Sequence, residues 1–395
     1  MPDVVTMPAV PAIYSLDQIP MSQNQLTVLQ LLPSLESGGV ERGTLEVANE
    51  LVRRGHRSLV ISGGGRMVAS LERGGGTHIK WNIGVKSLFT LRYVPHLRRL
   101  MKEQRIDIVH ARSRLPAWIA YLAWRGMDKA TRPRFVMTVH GLYSVNRYSA
   151  IMTRGERIIA VSNTARDYLL ENYPQVDPQR IEVIPRGVDP AEFPYGYKPP
   201  SDWLASWYRH FPQLKEKFVL TLPGRLTRLK GHDDFITLMA RLKNAGLPVH
   251  GLIVGGEDPK RKAYARALRA RVIAEKLSDT ITFTGQRDDM RDVYAASNVV
   301  LSLSTKPESF GRTVLEALSL GVPVVGYDHG GVGEILQTVF PAGTVPTQKF
   351  DKLYETINGF IAAIPSVAAA NYFLLNSMLD HTIQLYSELQ RQRRI

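Results

Sequence analysis

Two doubly wound α/β domains are what this sequence predicts, and three observations carry the prediction. The 395 residues exceed what one hydrophobic core organises. Short β-branched runs alternate with amphipathic stretches along most of the chain, the mark of parallel sheets covered on both faces. The alternation breaks once, between Val188 and Lys217, where DPAEFPYGYKPPSDW shows no period and reads as an interdomain connection.

In chain order the first half offers the strands LTVLQLL (26–32), SLVIS (58–62), DIVHA (107–111), FVMTV (135–139), RIIAV (157–161) and IEVIP (181–185), with helical patterns over 40–54, 90–104, 114–126 and 162–172. The second half repeats the scheme with FVLTLP (218–223), HGLIVGG (250–256), ITFTG (281–285), VVLSLS (299–304) and VPVVGY (322–327). Its helices fall near 232–245, 259–277, 288–296 and 310–320, and a last helical stretch runs over 366–394. The expected divisions are a tail over 1–25, a first domain over 26–190, a connection over 191–216, a second domain over 217–375, and a closing helix over 376–395 that can return to the first domain. Sheets of this kind bind ligands beyond the carboxyl ends of their strands, so the expected site is a cleft between the two domains.

Composition narrows the class. Hydrophobic residues make up 44% and charged residues 22%, the balance of a folded protein. No apolar run reaches the ~18–20 residues of a bilayer span, and the opening MPDVVTMPAV lacks the charged start of a signal peptide. With no cysteine, disulfides and thiolate metal sites are excluded, and a cytoplasmic setting is expected. Net charge is +14, and residues 92–134 hold 11 basic side chains against 3 acidic ones. Such a field attracts anionic lipid, phosphorylated saccharide or nucleic acid; it also serves as a solvated, solubilising face. Tyr93, Trp118, Tyr121 and Trp124 lie within that stretch, a mixture suited to an anionic membrane surface.

Three segments, each placed just after an expected strand, carry chemistry. In PGRLTRLKGHDDF (223–235), Arg225 and Lys230 sit on a strand-to-helix loop and suit a diphosphate, the one as a fork of donors and the other as a point charge. In PESFGRTVLEALSLGVPVVG (307–326), Glu308 precedes a helix and Glu316 lies inside it, with the amides of Gly311 to Val314 at the helix start as an anion site. Carboxylates beside such a site call for hydroxyl donors, as on a sugar or ribose. In GGVERGTLEVANEL (38–51), Gly38 and Gly39 let backbone approach a ligand. Singly, each segment is also explained as a basic turn, a helix-end charge or an ordinary glycine turn.

Together, the early GG turn, GRLTRLKG, FTGQ, the Glu308/Glu316 pair and the GVPVV strand resemble the retaining glycosyltransferases of sequence family four, with the GT-B fold, from about Leu26 to the C-terminus. The resemblance implies that Arg225 and Lys230 neutralise the donor diphosphate, Glu308 contacts donor-sugar hydroxyls and Glu316 grips the ribose. It places Phe310, Gly311, Thr313 and Val314 against sugar and phosphate, Gly285, Gln286 and Arg287 against the base, and Gly38 and Gly39 against donor phosphate or acceptor. His140 matches a histidine near the donor sugar, with His110 as second candidate. It implies no cofactor, no metal and no protein base, the donor being a UDP- or GDP-sugar. The acceptor it implies is a lipid-linked glycan such as lipopolysaccharide core, on the inner face of a bacterial cytoplasmic membrane. A different GT-B enzyme, such as a nucleotide-sugar epimerase, is one rival reading; a scaffold or basic polyanion binder is the other. The absence of nucleic-acid-binding modules speaks against a nucleic-acid partner.

Overall fold

The computed structural model describes residues 25–36, 38–257, 262–369 and 372–394, arranged as two lobes. The first lobe runs β1 (Thr27–Leu31), α1 (Gly39–Arg53), β2 (Arg57–Ser62), α2 (Val68–Arg73), β3 (Thr77–Lys80), α3 (Tyr93–Glu103), β4 (Ile108–Ala111), α4 (Arg114–Arg125), β5 (Arg134–Val139), β6 (Arg157–Ala160), α5 (Asn163–Asn172) and β7 (Ile181–Val183). The second runs α6 (Ser201–His210), β8 (Phe218–Pro223), α7 (His232–Asn244), β9 (Val249–Val254), α8 (Lys262–Ala274), β10 (Ile281–Gly285), α9 (Met290–Ala295), β11 (Val299–Ser302), α10 (Arg312–Ser319), β12 (Val324–Tyr327), α11 (Gly330–Val339), β13 (Thr344–Val345), α12 (Phe350–Ala362) and α13 (Leu375–Arg394). Among the described residues the first sheet has seven strands in the order β3-β2-β1-β4-β5-β6-β7, and the second has six in the order β10-β9-β8-β11-β12-β13. Every pairing is parallel. Both are Rossmann-like sheets whose order reverses beside β1 and β8, and there crevices open at the strand ends.

Several elements differ from the sequence reading. Strand β3 is a partly exposed edge and β13 is two residues long, so neither presents an apolar run. Helix α11 starts on Gly330 and Gly331, outside the expected helices. The stretch 191–216 holds a helix: in α6, Trp203 and Trp207 stack at 5.0 Å one turn apart, and Trp207 and Leu214 pack on Val219, Leu252 and Val293 of the second lobe. The last helix begins at Leu375, later than 366.

That helix lies on the first lobe. Met378, Leu379, Ile383, Tyr386 and Leu389 share a core with Val28, Val47, Leu51, Ile108 and Val136. The chain therefore crosses between lobes twice, and the crossings pair: Val188 and Leu375 donate to the carbonyls of Phe373 and Val188 at 3.0 Å each. A Cβ on Gly187 would stand 2.4 Å from the Leu374 carbonyl, so only glycine permits this approach.

Candidate donor site and its cross-lobe contacts

The loop after β8 is shaped by two glycines. Gly224 has φ 137° and Gly231 is left-handed at φ 70°, capping α7. A Cβ on Gly231 would fall 1.9 Å from the Leu303 carbonyl oxygen, so the loop lies directly against the end of β11. Thr305 donates its N–H to Leu229 O at 2.9 Å, joining the two loops. Lys230 Nζ then reaches Glu308 Oε1 at 2.7 Å. The Ser304 hydroxyl bonds to the same oxygen. Burial raises the Glu308 carboxyl, but Lys230, Ser304 and His329 outweigh it and hold the group below its usual range. Glu308 is thus a carboxylate at neutral pH, fit to accept hydroxyls. Arg225 is exposed on the same loop, free of any ion pair among the described residues.

Glycines of α11 support the Glu308 loop from behind. Gly331 donates to Glu308 O at 2.8 Å, and a Cβ there would meet Phe310 Cα at 2.3 Å. The HGGVGE run after β12 is the signal for this backing, one the sequence reading left unused. Gly311, at φ 107°, caps α10. The helix-start amides of Gly311, Arg312 and Thr313 precede the first helical acceptor and suit an anion. Val314 does not join them: its side chain is fully buried and its N–H bonds Gly311 O at 3.1 Å. Phe310 packs edge-on against Phe373 in the core, leaving only its backbone for a ligand.

Glu316 is buried and fully engaged. Arg312 Nε donates to its Oε1 at 3.0 Å, Arg42 Nη1 to the same oxygen at 3.4 Å, and the Tyr294 hydroxyl to Oε2 at 3.4 Å. Burial raises its carboxyl, only partly opposed by Arg312 and Arg42. Arg312 Nη2 also holds Glu46 Oε1 at 2.8 Å. Arg42 and Glu46 belong to α1 of the first lobe, so alternating charges run across the cleft. None of Arg42, Glu46 and Arg312 stood out in the sequence, because a charge on a helix face is ordinarily solvated.

Opposite this cradle, the Ser309 hydroxyl donates to His140 O at 2.7 Å, joining the end of β5 to the Glu308 loop. Arg186 Nη2 lies 3.1 Å from His140 Nδ1 and 3.2 Å from Gly39 O. A guanidinium only donates, so Nδ1 carries the lone pair and the proton sits on Nε2. His140 Nε2 is buried without a partner. Burial first, then the charges of Arg186 and Arg112, hold the ring well below its ordinary pKa. His140 is therefore a neutral hydrogen-bond donor. Burial also lowers Arg186, to about 9, which leaves it charged at neutral pH. Gly43 provides its space: a Cβ there would stand 2.2 Å from Arg186 Nη1.

Other expected site residues fall elsewhere. Both ring nitrogens of His110 are satisfied in the core, Nδ1 by the Tyr386 hydroxyl at 2.5 Å and Nε2 by Thr138 Oγ1 at 2.6 Å, so it is structural. Arg287 turns to Asp289, with Nε to Oδ1 at 2.8 Å, and lies over Trp207. Gly285, at φ 74°, and Gln286 remain at the strand end, Gln286 beside Gly256. The aromatics of 92–134 form no surface belt: Trp124 is buried in the core, with Nε1 bonding Pro133 O at 2.7 Å, and Trp118 and Tyr121 pack partly buried against it.

Comparison with known proteins bears on the family and the fold. Residues 37–192 match the model of Glycosyltransferase Family 4, and residues 208–363 that of Glycosyl transferases group 1. A crystal structure of a glycosyltransferase from Rickettsia africae is 30% identical, with TM-score 0.81, over 93% of this chain and 99% of that one. The phosphatidylinositol N-acetylglucosaminyltransferase GPI3 subunit of Saccharomyces cerevisiae is 25% identical over 349 residues, 81% of this chain and 72% of the yeast protein. Anabaena HepE, solved with UDP-glucose, is 21% identical with TM-score 0.78, over 92% of this chain and 100% of HepE, a likeness of fold. The chain belongs to the glycosyltransferases of family 4 type, with the GT-B fold. It is a transferase enzyme.

Proposed function

We propose that this enzyme moves a hexose-type sugar, with retention, from a UDP- or GDP-sugar to a lipid-linked acceptor such as lipopolysaccharide core. The observation that carries the reading is the Lys230–Glu308 contact at the start of α10, tied through Ser309 to His140 across the cleft. Lys230, Arg225 and the α10 amides receive the diphosphate, whose charge grows as it leaves. Glu308 accepts sugar hydroxyls, and His140 donates to one from Nε2. Glu316 receives the ribose in exchange for its present arginine contacts. The acceptor hydroxyl oxygen bonds the anomeric carbon as the bond to the diphosphate breaks, and the acceptor proton passes to a diphosphate oxygen. A neutral, Nε2-protonated His140 and a Lys-paired Glu308 fit a step with no side-chain base. The reading calls for no metal, the cations and amides serving the leaving group.

Membrane docking is supported by a surface other than the aromatics of 92–134. Leu88 is 86% and Phe89 79% exposed after β3, beside exposed Val85, Leu91, Lys86 and Arg92. Among the described residues no helix is long and apolar enough to cross a membrane.

A thermal-shift panel of nucleotide sugars and free nucleoside diphosphates tests the donor. A ligand at 100 times its Kd adds about 2.7 kcal/mol to stability, and Lys230→Ala should abolish the shift. A panel in which no nucleoside diphosphate raises Tm would defeat the reading.

A further inference from the structure

Arg114, the first residue of α4, is a cation built into place without an acid. Its guanidinium carbon lies 4.6 Å from the ring centre of Tyr143 and 5.3 Å from that of Tyr148. Nη1 donates to Ser149 Oγ at 3.1 Å. Both flanking residues are themselves held: the Tyr168 hydroxyl donates to Tyr143 O, and Trp118 Nε1 to Tyr148 O at 3.0 Å. Among the described residues no carboxylate lies within ion-pair range of Arg114, and its other donors have no partner. A guanidinium stacked on rings is preorganised and spends little entropy on binding an oxyanion.

Its position ties it to the reaction. The Tyr143 hydroxyl meets the backbone of His140, whose carbonyl takes the Ser309 hydroxyl beside Glu308. One aromatic ring therefore separates Arg114 from His140. Of the basic residues on the neighbouring strand-end loops, Lys86 and Arg147 are exposed, while Arg66 pairs with Asp288 and Arg112 is buried in the core.

We propose that Arg114 anchors a phosphate group of the acceptor, setting the acceptor hydroxyl beside His140. The cation surplus matches a phosphate ester, and the yeast relative is named for a phosphate-bearing lipid acceptor. This rests on the transferase reading above and names its acceptor class. The phosphate belongs either to a lipid headgroup or to a free sugar phosphate.

The test uses full-length wild type, Arg114→Gln and Arg114→Lys, each saturated with UDP so that the donor cradle is filled. Calorimetric titration with sn-glycerol 3-phosphate, against glycerol, reads the soluble source. Co-sedimentation with phosphatidylinositol vesicles, against phosphatidylcholine vesicles, reads the lipid source. The expected result is binding of at least one phosphate probe by wild type, weakened about tenfold in Arg114→Gln and only partly restored in Arg114→Lys, with UDP affinity within twofold of wild type in both. Loss confined to glycerol 3-phosphate assigns a soluble acceptor, and loss confined to vesicles assigns a lipid one. Equal binding by wild type and Arg114→Gln, or no binding of either probe by wild type, overturns the proposal. Failure of wild type to bind any nucleoside diphosphate would instead defeat the donor reading.

Discussion

His140 is set by two side chains and a hydrogen. Arg186 donates to Nδ1, Ser309 holds the backbone, and Gly43 has nothing where a methyl would displace Arg186. Gly43→Ala should therefore free Nδ1 and let the ring turn. We expect turnover to fall about tenfold, the worth of one hydrogen bond of ~1.4 kcal/mol in the transition state, while UDP affinity stays within about twofold. Steady-state kinetics beside UDP titration checks this; unchanged turnover would remove Arg186 from the site. Histidines also set the pH response. Burial lowers His232 to about 4 from an ordinary 6.5, and its ring is buried without a partner. The unfolded chain takes up the proton below pH ~6.5 while the folded one stays neutral until about 4. Its stability contribution is therefore full above the unfolded value and lost as pH falls through that window, at up to ~1.4 kcal/mol per pH unit. Buried His110 and His140 act in the same direction. Tm should drop between pH 7 and pH 5, with a shallower slope in His232→Gln; a parallel slope would contradict the assignment.

At the scale of elements, α13 covers what the first sheet would otherwise expose. Its Tyr386 hydroxyl satisfies His110 Nδ1 in the core. Tyr386→Phe keeps the shape and leaves that nitrogen unpaired, at a cost of roughly 1–3 kcal/mol. The urea midpoint should fall by the corresponding amount with the m-value unchanged; an unshifted midpoint would show the bond to be energetically idle. The strands other than β3 and β13 were legible because buried parallel strands are apolar runs. The loop after β8 and that before α10 were legible for a different reason. Each packs several site groups into a dozen residues, so local spacing alone locates them. Strand β3, the glycine-led α11 and the aromatic-rich α6 were not, since an edge strand, a GG start and a Pro-flanked helix carry weak periods.

Across the whole molecule, closure combines polar contacts between lobes with apolar packing, Ala160, Val161 and Ala165 of the first lobe sharing the second lobe's core cluster. Glu334 of α11 caps α5 of the first lobe, accepting from Asn163 N at 3.0 Å and from Thr164 N at 2.6 Å. An N-cap of this kind contributes about 1 kcal/mol. Glu334→Ala should bias the lobes apart and weaken UDP about fivefold, with an enlarged radius of gyration by solution scattering that UDP reverses. A scattering profile and Kd like those of wild type would place closure elsewhere. The pairing of Val188 with Leu375 in the two crossings supplies a pivot that this variant leaves intact.

By itself the sequence determined the two sheets, their parallel sense and the short segments on which Lys230, Glu308 and the α10 start lie. Those features depend on neighbours within a few turns of chain. Tertiary structure alone decided that Glu316 is held by Arg42, 274 residues away, and that His110 is closed off by Tyr386, 276 residues away. It likewise buried Trp124, packed Trp118 against the core and left Leu88 and Phe89 outside. The reason is physical: a side chain's partner, and so its charge state, its proton and its exposure, is set by whatever the fold brings against it.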